Sequence, residues 1–162
     1  LLEDVLDRFP ATVFNIDLKD NAGVPALVAL LRRMDVSDRI VVASFSTLRI
    51  RRFASRSPGI ALGATPLGVG WDGFVPGLRR WRVDPAPVLQ VPARVLGNLL
   101  PLVRRDLIDF LHSTGRKVHV WTIDDRAEME RLIDLGVDGL ISNDLVTLKS
   151  VLTERGLWEE DE

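Results

Sequence analysis

The sequence contains no cysteine among its 162 residues, and its formal net charge is only −2 at pH 7. The absence of cysteine excludes a disulfide scaffold and a thiolate metal site, and it is consistent with a cytoplasmic protein. The small net charge gives no reason to expect attraction to nucleic acid or to an anionic membrane. No apolar run approaches the roughly 20 residues that a membrane-spanning helix needs, and no signal peptide is visible at the front.

Several signatures of known site chemistry are absent as well. Neither G-x-G-x-x-G nor G-x-x-x-x-G-K-[ST] occurs, so the dinucleotide-binding and P-loop interpretations lack their fingerprints. The two histidines are His112, late in a predicted helix, and His119, inside a predicted strand. We expect His112 on the surface and His119 as a hydrogen-bonded core residue, so no pair of histidines is predicted for acid and base catalysis.

Strands and helices alternate along a chain whose composition is that of one globular domain, residues 1–162. Hydrophobic residues make up 46% of the chain and charged residues 27%. Strands are predicted at 11–19, 39–45, 59–65, 86–92, 117–124 and 137–142. Helices are predicted at 24–36, 46–57, 98–115, 125–136 and 144–156, with an irregular loop over 64–87. This alternation predicts an α/β fold with parallel strands, because a parallel connection needs a crossover.

Six strand–helix units leave two architectures open. An open doubly wound sheet can use six, whereas a closed (β/α) barrel needs eight and about 250 residues. The segment LLEDVLDRFP, before the first predicted strand, has the pattern of the end of an amphipathic helix. We therefore expect further units ahead of Leu1, so that the chain begins inside a larger structure.

The first predicted strand carries polar side chains on a face where a buried strand would be apolar. Asn15, Asp17 and Lys19 alternate with apolar neighbours, and strand periodicity places the three on the same side. In a parallel α/β fold, functional groups gather at the carboxyl ends of the strands. Asp17 would supply a hard oxygen ligand for Mg²⁺ or Ca²⁺, and Lys19 a positive charge for a phosphate oxygen. The alternative is an ion pair between the two that only seals the strand end.

Other predicted strand ends offer weaker signals. Trp121 either forms a wall against a small apolar or glycerol-like group or is a large core side chain. The arginines of LRIRRFASR and LRRWR form either an anion-binding patch or a solvated face. The remaining residues at predicted strand ends are Ser44, Phe45, Gly63, Thr65, Gln90, Thr122, Asp124, Ser142, Asn143 and Asp144.

Five segments taken together resemble one enzyme family. FNIDLK, VVASFS, IALG, KVHVWTID and GVDGLISND have the order and spacing of the later part of the glycerophosphodiester phosphodiesterases. The resemblance covers residues 12 to 150, approximately, and its most specific part is Trp-Thr followed at the right distance by Gly-Val-Asp-Gly. It implies an incomplete TIM barrel, in which this chain supplies about the last six of the eight βα units.

The same resemblance implies hydrolysis of glycerophosphodiesters to glycerol 3-phosphate and an alcohol, with a divalent metal, Mg²⁺ or Ca²⁺. Asp17 stands where the family has a glutamate metal ligand, and Lys19 stands where its lysine approaches the phosphate. Phe45 and Trp121 stand where aromatic side chains wall the glycerol side. Aspartate is one methylene shorter than glutamate, so the metal would shift, gain a water or bind more weakly.

Three motifs of the family's first two units have no counterpart at a strand end of this sequence: a His-Arg-Gly end, a Glu-x-Asp metal pair and a second histidine. We therefore expect the parent protein to be a phosphodiesterase or a relative of one, and this chain alone to be inactive, because the proton-transfer groups are lacking. A non-catalytic binding module on the same barrel is the main alternative. Another phosphate-handling barrel enzyme is suggested by the fold alone. Open sheet edges would favour self-association.

Overall fold

A computed structural model of the chain describes residues 1–64, 87–95 and 100–158. Most of the loop predicted over 64–87, the candidate Thr65, the start of the helix predicted at 98–115 and residues 159–162 lie outside the described residues. The described part divides into two compact units, residues 1–64 with Pro87 and residues 88–158, and each has its own parallel sheet. The expectation of a single domain stays a prediction.

The first unit alternates helices and strands as the sequence predicts. Its helices are α1 (Leu2–Arg8), α2 (Gly23–Arg33) and α3 (Thr47–Ala54), with a 3₁₀ turn at Ser37–Arg39. Its strands are β1 (Phe14–Asp17), β2 (Ile40–Ala43) and β3 (Ala61–Leu62), which pair in parallel in the order β1-β2-β3. The parallel pairing that the alternation predicts is therefore confirmed in this unit.

The core of the first unit fixes the ends of its strands. The buried apolar stripe of α2 consists of Val24, Leu27, Val28 and Leu31. Ile40 and Val42 of β2 and Phe53 of α3 belong to the same cluster, and all three are almost fully buried. Removing such apolar surface from water stabilises the folded state by about 25 cal/mol per Å². The cluster therefore holds the sheet against both helices and keeps the carboxyl ends of β1 and β2 side by side.

The second unit contains three helices and two kinds of strand pairing. Its helices are α4 (Arg105–Ser113), α5 (Arg126–Leu135) and α6 (Leu145–Glu154). Strands β4 (Val88–Pro92), β7 (Lys117–Trp121) and β8 (Gly139–Leu140) pair in parallel in the order β4-β7-β8. The short strands β5 (Arg94–Val95) and β6 (Leu100–Pro101) form a separate antiparallel pair. The β5–β6 pair was not predicted from the sequence.

The helix predicted over residues 98–115 is shorter than expected. It begins only at Arg105, and Leu100–Pro101 pair with Arg94–Val95 instead. Pro101 explains the difference, because proline lacks the N–H that an interior helical turn requires and disfavours helical backbone in the residue before it. The prediction was therefore wrong over residues 100–104. Its end is confirmed, since Gly115 follows the helix with a φ of +70°.

Residue types that commonly cap helices are present at three helix ends. The Ser46 side chain accepts a hydrogen bond from the backbone N–H of Arg49 and begins α3. Of the two aspartates that precede α5, Asp124 and Asp125, the second is the cap, because Asp125 accepts a hydrogen bond from the backbone N–H of Glu128 at 2.9 Å. Gly136 ends α5 with a φ of +90°, in the left-handed region that glycine adopts without strain.

The Gly-Val-Asp-Gly motif of the family resemblance has a structural role in the second unit. The Asp138 carboxylate accepts a hydrogen bond from the backbone N–H of Val118 at 2.8 Å, and the same oxygen lies 2.8 Å from Nε2 of His112. Gly139 lies against the His119 ring, because a Cβ at this position would be only 2.8 Å from the ring carbon Cδ2. The motif therefore fastens β8 and α4 to β7.

All six predicted strands are present, and in the described residues they form two parallel sheets of three strands. The α/β class and the parallel pairing are confirmed. The incomplete barrel is not confirmed by these two sheets and stays a proposal. None of the helices within 1–64, 87–95 and 100–158 has both the length and the apolar character that crossing a lipid bilayer requires.

Candidate functional site

Asp17 and Lys19 meet at the carboxyl end of β1. Lys19 Nζ lies 2.5 Å from Asp17 Oδ2, and the Lys19 side chain is 74% exposed whereas that of Asp17 is 28% exposed. The other carboxylate oxygen, Oδ1, is buried and has no hydrogen-bond partner among the described residues. An unpartnered buried oxygen costs free energy, and a ligand that supplies a partner would recover it. The ion pair therefore leaves one carboxylate oxygen available for a further interaction.

Phe45 joins this pair from the end of β2. Its side chain is 66% exposed, and Lys19 Nζ lies 5.5 Å from the centre of its ring. At this distance an ammonium group is attracted by the face of an aromatic ring. The structure therefore brings together three of the four site residues predicted from the sequence, and we call Asp17, Lys19 and Phe45 the β1–β2 cluster.

The backbone of the β1–β2 cluster is fastened by two side chains. The carbonyl oxygen of Leu18 accepts one hydrogen bond from Ser44 Oγ at 2.7 Å and another from Arg49 Nη1 at 2.9 Å. Arg49 Nη1 also lies 2.9 Å from Ser44 Oγ, and Ser44 is only 6% exposed. Because Leu18 is buried in the core, its two neighbours in the sequence face the opposite way. The clamp on Leu18 thus sets where Asp17 and Lys19 point.

Sequence reasoning placed Arg49 within a run of arginines that could be a patch or a solvated face, and so missed this contact. The available signal was its position three residues after the N-cap Ser46. Residues three apart lie on the same face of a helix, so Arg49 stands over the strand end that precedes the helix. A charged residue in the first turn after a strand end is therefore a candidate for fastening that end.

A divalent metal was predicted at Asp17, and the residues present fit one ligand of such a site. The buried Oδ1 atom of Asp17 is a hard oxygen donor of the type that Mg²⁺ and Ca²⁺ prefer. Within 1–64, 87–95 and 100–158, no group of three or more histidine, cysteine, aspartate or glutamate side chains is arranged to hold a metal ion. The metal at Asp17 therefore stays a prediction.

Trp121, the fourth predicted site residue, belongs to the second unit and lies at the carboxyl end of β7. It lines a cavity of about 480 Å³ beyond the ends of β4 and β7. The lining residues are Pro92, Ala93, Arg94, Trp121, Thr122, Ile123 and Glu128. An aromatic wall beside a few polar groups is typical of small-molecule sites. Trp121 is partly buried beside this cavity, and its role as a wall for a ligand stays a prediction.

Glu128 is the carboxylate in the lining of this cavity, and it is already engaged. Arg131 donates two hydrogen bonds to it, at 2.6 and 2.7 Å, one to each oxygen. These bonds are the main reason that the pKa of Glu128 lies below its ordinary value, and the positive charge of Arg94 lowers it further. The carboxylate thus stays ionised and is held in place by a bidentate contact.

The polar residues after β7 and β8 bind each other. Asp124 Oδ1 accepts hydrogen bonds from the Asn143 backbone N–H at 2.7 Å and from Ser142 Oγ at 2.9 Å, and Oδ2 accepts from the Asn143 side-chain amide at 3.1 Å. The backbone N–H contributes most to a lowered pKa of Asp124. We call these three residues the β7–β8 latch. They were candidates in the sequence, and the structure shows them joining two loops.

Neither histidine lies in the β1–β2 cluster or the cavity lining. His112 is 42% exposed and pairs with Asp138, which confirms its expected surface position. His119 is partly buried in β7, and desolvation lowers its pKa below the ordinary 6.5, against the opposing effect of the Asp138 charge. His119 therefore favours the neutral form.

A sequence profile for the glycerophosphoryl diester phosphodiesterase family matches residues 4–147. The chain belongs to this family. The resemblance noted from its motifs is thereby confirmed. A relative named "Probable glycerophosphodiester phosphodiesterase 2", from Mycobacterium tuberculosis, is 31% identical over 98% of this chain and 61% of its own length. A glycerophosphodiester phosphodiesterase from Caldanaerobacter subterraneus is 25% identical over 80% of this chain and 49% of its own length.

Solved structures of this family share the fold. A glycerophosphodiester phosphodiesterase from Parabacteroides distasonis superimposes with a TM-score of 0.69 at 22% identity, covering 95% of this chain and 64% of the other. A phosphodiesterase from Oleispira antarctica, solved in complex with the product sn-glycerol-3-phosphate, gives a TM-score of 0.70 at 17% identity, covering 93% of this chain and 58% of the other. The chain therefore spans less than two thirds of the length of each of these relatives.

Proposed function

We propose that the whole protein containing this chain is a metal-dependent phosphodiesterase that hydrolyses glycerophosphodiesters to glycerol 3-phosphate and an alcohol. Membership of the family supports the reaction class, and the product bound to the Oleispira antarctica relative supports the substrate class. One observation of this chain carries the proposal. The β1–β2 cluster combines a carboxylate with an unpartnered buried oxygen, an ammonium group and an exposed aromatic ring at adjoining strand ends.

Each residue of the cluster has a role that its chemistry suits. Asp17 would hold the metal through Oδ1, since a buried anionic oxygen without a partner favours a hard cation. Lys19 would bind a phosphate oxygen and offset its charge. Phe45 and, in the second unit, Trp121 would wall the glycerol group with apolar surface. A bound Mg²⁺ or Ca²⁺ would polarise the phosphoryl oxygens.

We propose further that this 162-residue chain is inactive by itself. In-line attack on a phosphodiester needs proton transfer as well as charge neutralisation, and neither histidine lies in the cluster or the cavity lining. The remaining proposals concern the barrel of the whole protein, self-association and cellular location. The two parallel sheets would form the later six units of a barrel in the whole protein, their open edges would favour self-association of the chain alone, and the absence of cysteine suits a cytoplasmic location.

A hydrolysis assay tests this function. The whole protein is incubated with glycerophosphoethanolamine and Mg²⁺ or Ca²⁺, and glycerol 3-phosphate release is followed before and after chelation. We expect Asp17→Asn to lower kcat/KM by about a hundredfold, since a metal ligand is lost. The matched control is Asp35→Asn, an exposed carboxylate at the end of α2, and it should leave kcat/KM unchanged. Failure of the wild-type protein to hydrolyse any glycerophosphodiester with either metal would overturn the proposal.

The second candidate is a non-catalytic binding module built on the same barrel. The contact between Lys19 and Asp17 favours it, because a lysine paired with the candidate metal ligand competes with a cation for one of its oxygens. Titration calorimetry of the whole protein with Mg²⁺ and Ca²⁺ separates the two functions. Metal binding without turnover supports the module, whereas turnover that follows metal occupancy supports the enzyme.

A further inference from the structure

The first unit carries a local excess of positive charge, although the formal net charge of the whole chain is −2. Residues 39–64 contain five arginines and no acidic residue. On α5 of the second unit, by contrast, both arginines pair with acids, Arg126 with Glu130 and Arg131 with Glu128. Such pairing is the usual arrangement on a solvated helix, so the uncompensated charge of the first unit needs another explanation.

Three exposed arginines lie next to one another where α2 and α3 end. Arg32, in the last turn of α2, donates a hydrogen bond from Nη2 to the carbonyl oxygen of Arg56 at 3.1 Å. Arg56 in turn donates from Nη1 to the carbonyl oxygen of Arg52 at 3.0 Å. None of the three has an acidic partner in the part of the chain that the structure describes. We call Arg32, Arg52 and Arg56 the α2–α3 arginine patch.

The hydrogen bonds within the patch use few of its donors. A guanidinium group has five N–H donors, and Arg32 and Arg56 each make one hydrogen bond in the described residues, whereas the Arg52 side chain makes none. Cations suit the carbonyl end of a helix, which accounts for one arginine at each end but not for a group of three. Like charges repel one another, so the group is most stable beside an anion. The remaining donors match the geometry of phosphate oxygens.

An exposed aliphatic side chain lies on the same face of α3 as the patch. Leu48 is 76% exposed and precedes Arg52 by four residues, so helical periodicity places the two on one face. The opposite face carries Ile50 and Phe53, which are buried in the core. An apolar side chain beside basic ones is typical of a helix that lies in a lipid interface. Leu48 suits acyl chains, whereas it offers no ring on which a nucleic-acid base could stack.

We propose that Leu48 and the α2–α3 arginine patch dock the whole protein on a lipid bilayer that contains anionic phospholipids. This inference goes beyond the proposed function, and its test needs no turnover. Leu48 lies in the first turn of α3, three residues after Phe45 of the β1–β2 cluster, so the docked face begins beside that cluster in the same unit. A glycerophosphodiester is what remains of a phospholipid when its acyl esters are hydrolysed. Docking would therefore hold the protein where that class of reaction releases its substrate.

Sedimentation with vesicles tests the docking surface on the whole protein. The vesicles consist of phosphatidylcholine alone or of equal parts of phosphatidylcholine and phosphatidylglycerol. We expect tighter binding to the mixed vesicles, weakened by salt because the attraction is electrostatic. The double variant Arg52→Gln/Arg56→Gln should bind them about tenfold more weakly. Leu48→Ser should weaken binding about fivefold and leave its salt dependence nearly unchanged, because an apolar contact is lost.

A matched control removes the same charge elsewhere. Arg8→Gln/Arg94→Gln replaces two exposed arginines outside the patch and should bind the mixed vesicles as the wild type does. Equal losses for the patch and control variants would show a general effect of net charge and overturn the proposal. Equal binding of the wild type to both kinds of vesicle would overturn it as well, and this result does not depend on any variant.

A competing occupant of the same surface is a nucleic acid. The same proteins are therefore titrated with a single-stranded RNA at the same salt concentrations. RNA binding tighter than vesicle binding, lost in Arg52→Gln/Arg56→Gln and unaffected by Leu48→Ser, would assign the patch to nucleic acid and overturn the lipid surface. Vesicle binding that requires both Leu48 and the arginines supports it. If the whole protein hydrolyses no glycerophosphodiester, the proposed function fails and these binding results still decide the docking surface.

Discussion

Carboxylates and other polar residues follow β1 and β2 in the first unit, and they also follow β7 and β8 in the second. The two places differ in whether the hydrogen bonds of the carboxylate are complete. In the β1–β2 cluster, one oxygen of Asp17 is buried without a partner in the described residues. In the β7–β8 latch, both oxygens of Asp124 accept hydrogen bonds, from Ser142 and Asn143. A polar group at a strand end is thus a candidate for ligand binding when its hydrogen bonds are unfulfilled, and a structural fastener when they are complete.

The largest effect on activity is expected at Lys19. Lys19→Gln removes the ammonium group while keeping a long polar side chain, and we expect kcat/KM of the whole protein to fall about a hundredfold. The melting temperature should hardly change, because this side chain is 74% exposed. Steady-state kinetics and thermal unfolding measure the two quantities. A large loss of stability with nearly normal activity would show that Lys19 has a structural role and would contradict its assignment to ligand binding.

A substitution at Gly139, unlike one at Lys19, should mainly lower the stability of the fold. A Cβ at Gly139 would lie 2.8 Å from Cδ2 and 3.1 Å from Cγ of His119, so Gly139→Ala is expected to destabilise the fold by about 1–3 kcal/mol. Urea unfolding measures this cost. The double variant with His119→Ala should recover part of it, since the clashing ring is removed. Lack of any recovery would show that the cost arises elsewhere.

Loss of the Arg49 hydrogen bond to the Leu18 carbonyl should lower both the stability and the activity of the protein. Arg49→Met keeps the length of the side chain but removes its hydrogen bonds to the Leu18 carbonyl and to Ser44. We expect about a tenfold loss of kcat, through misplacement of Asp17 and Lys19, and about 1 kcal/mol of lost stability. Arg51→Met on the same helix is the matched control. Weakened Mg²⁺ binding by Arg49→Met would distinguish positioning from a purely structural role, because Arg49 makes no hydrogen bond or ion pair with the Asp17 carboxylate in the structure.

The smallest effect is expected at Asp124 and depends on pH. Its folded pKa lies below the ordinary 3.8, because the Asn143 backbone N–H and then the Asn143 and Ser142 side chains donate to the charged form. Its stabilising contribution is therefore present above pH 3.8 and is lost as pH falls from there through the folded pKa. Asp124→Asn should destabilise the protein at pH 7, and the difference from wild type should shrink at about pH 3.

Urea unfolding of both proteins at the two pH values measures this change, with Asp35→Asn as a control that shows no such convergence. Activity of Asp124→Asn near pH 7 should stay within about threefold of wild type, since the latch touches no proposed ligand. A difference in stability that grows on acidification would contradict the lowered pKa.

Sequence patterns predicted those features that depend on residues within one short segment of the chain. The stripe on α2, the caps Ser46 and Asp125 and the glycine at the end of α5 lie where the spacing and residue types of the sequence favour them, because periodicity and capping depend on residues close in sequence. The helix predicted over residues 98–115 was wrong over residues 100–104, where Pro101 disfavours a helical turn. The β5–β6 pair was missed because strands of two residues carry almost no periodic signal.

The candidate site shows the same difference between what local sequence patterns predict and what only folding decides. Residue order alone placed Asp17, Lys19, Phe45 and Trp121 at strand ends, since alternation of strands and helices implies where each strand stops. The sequence by itself thus determined the family, the α/β class and the position of these four residues at strand ends. Tertiary structure decided which polar atoms are left without partners: Asp17 Oδ1 remains open, Asp124 is closed by a loop 18 residues away, and Arg49 reaches a carbonyl 31 residues distant. Such contacts join segments that only folding brings together, so a local pattern gives at most the candidate residue, as it does for Arg49.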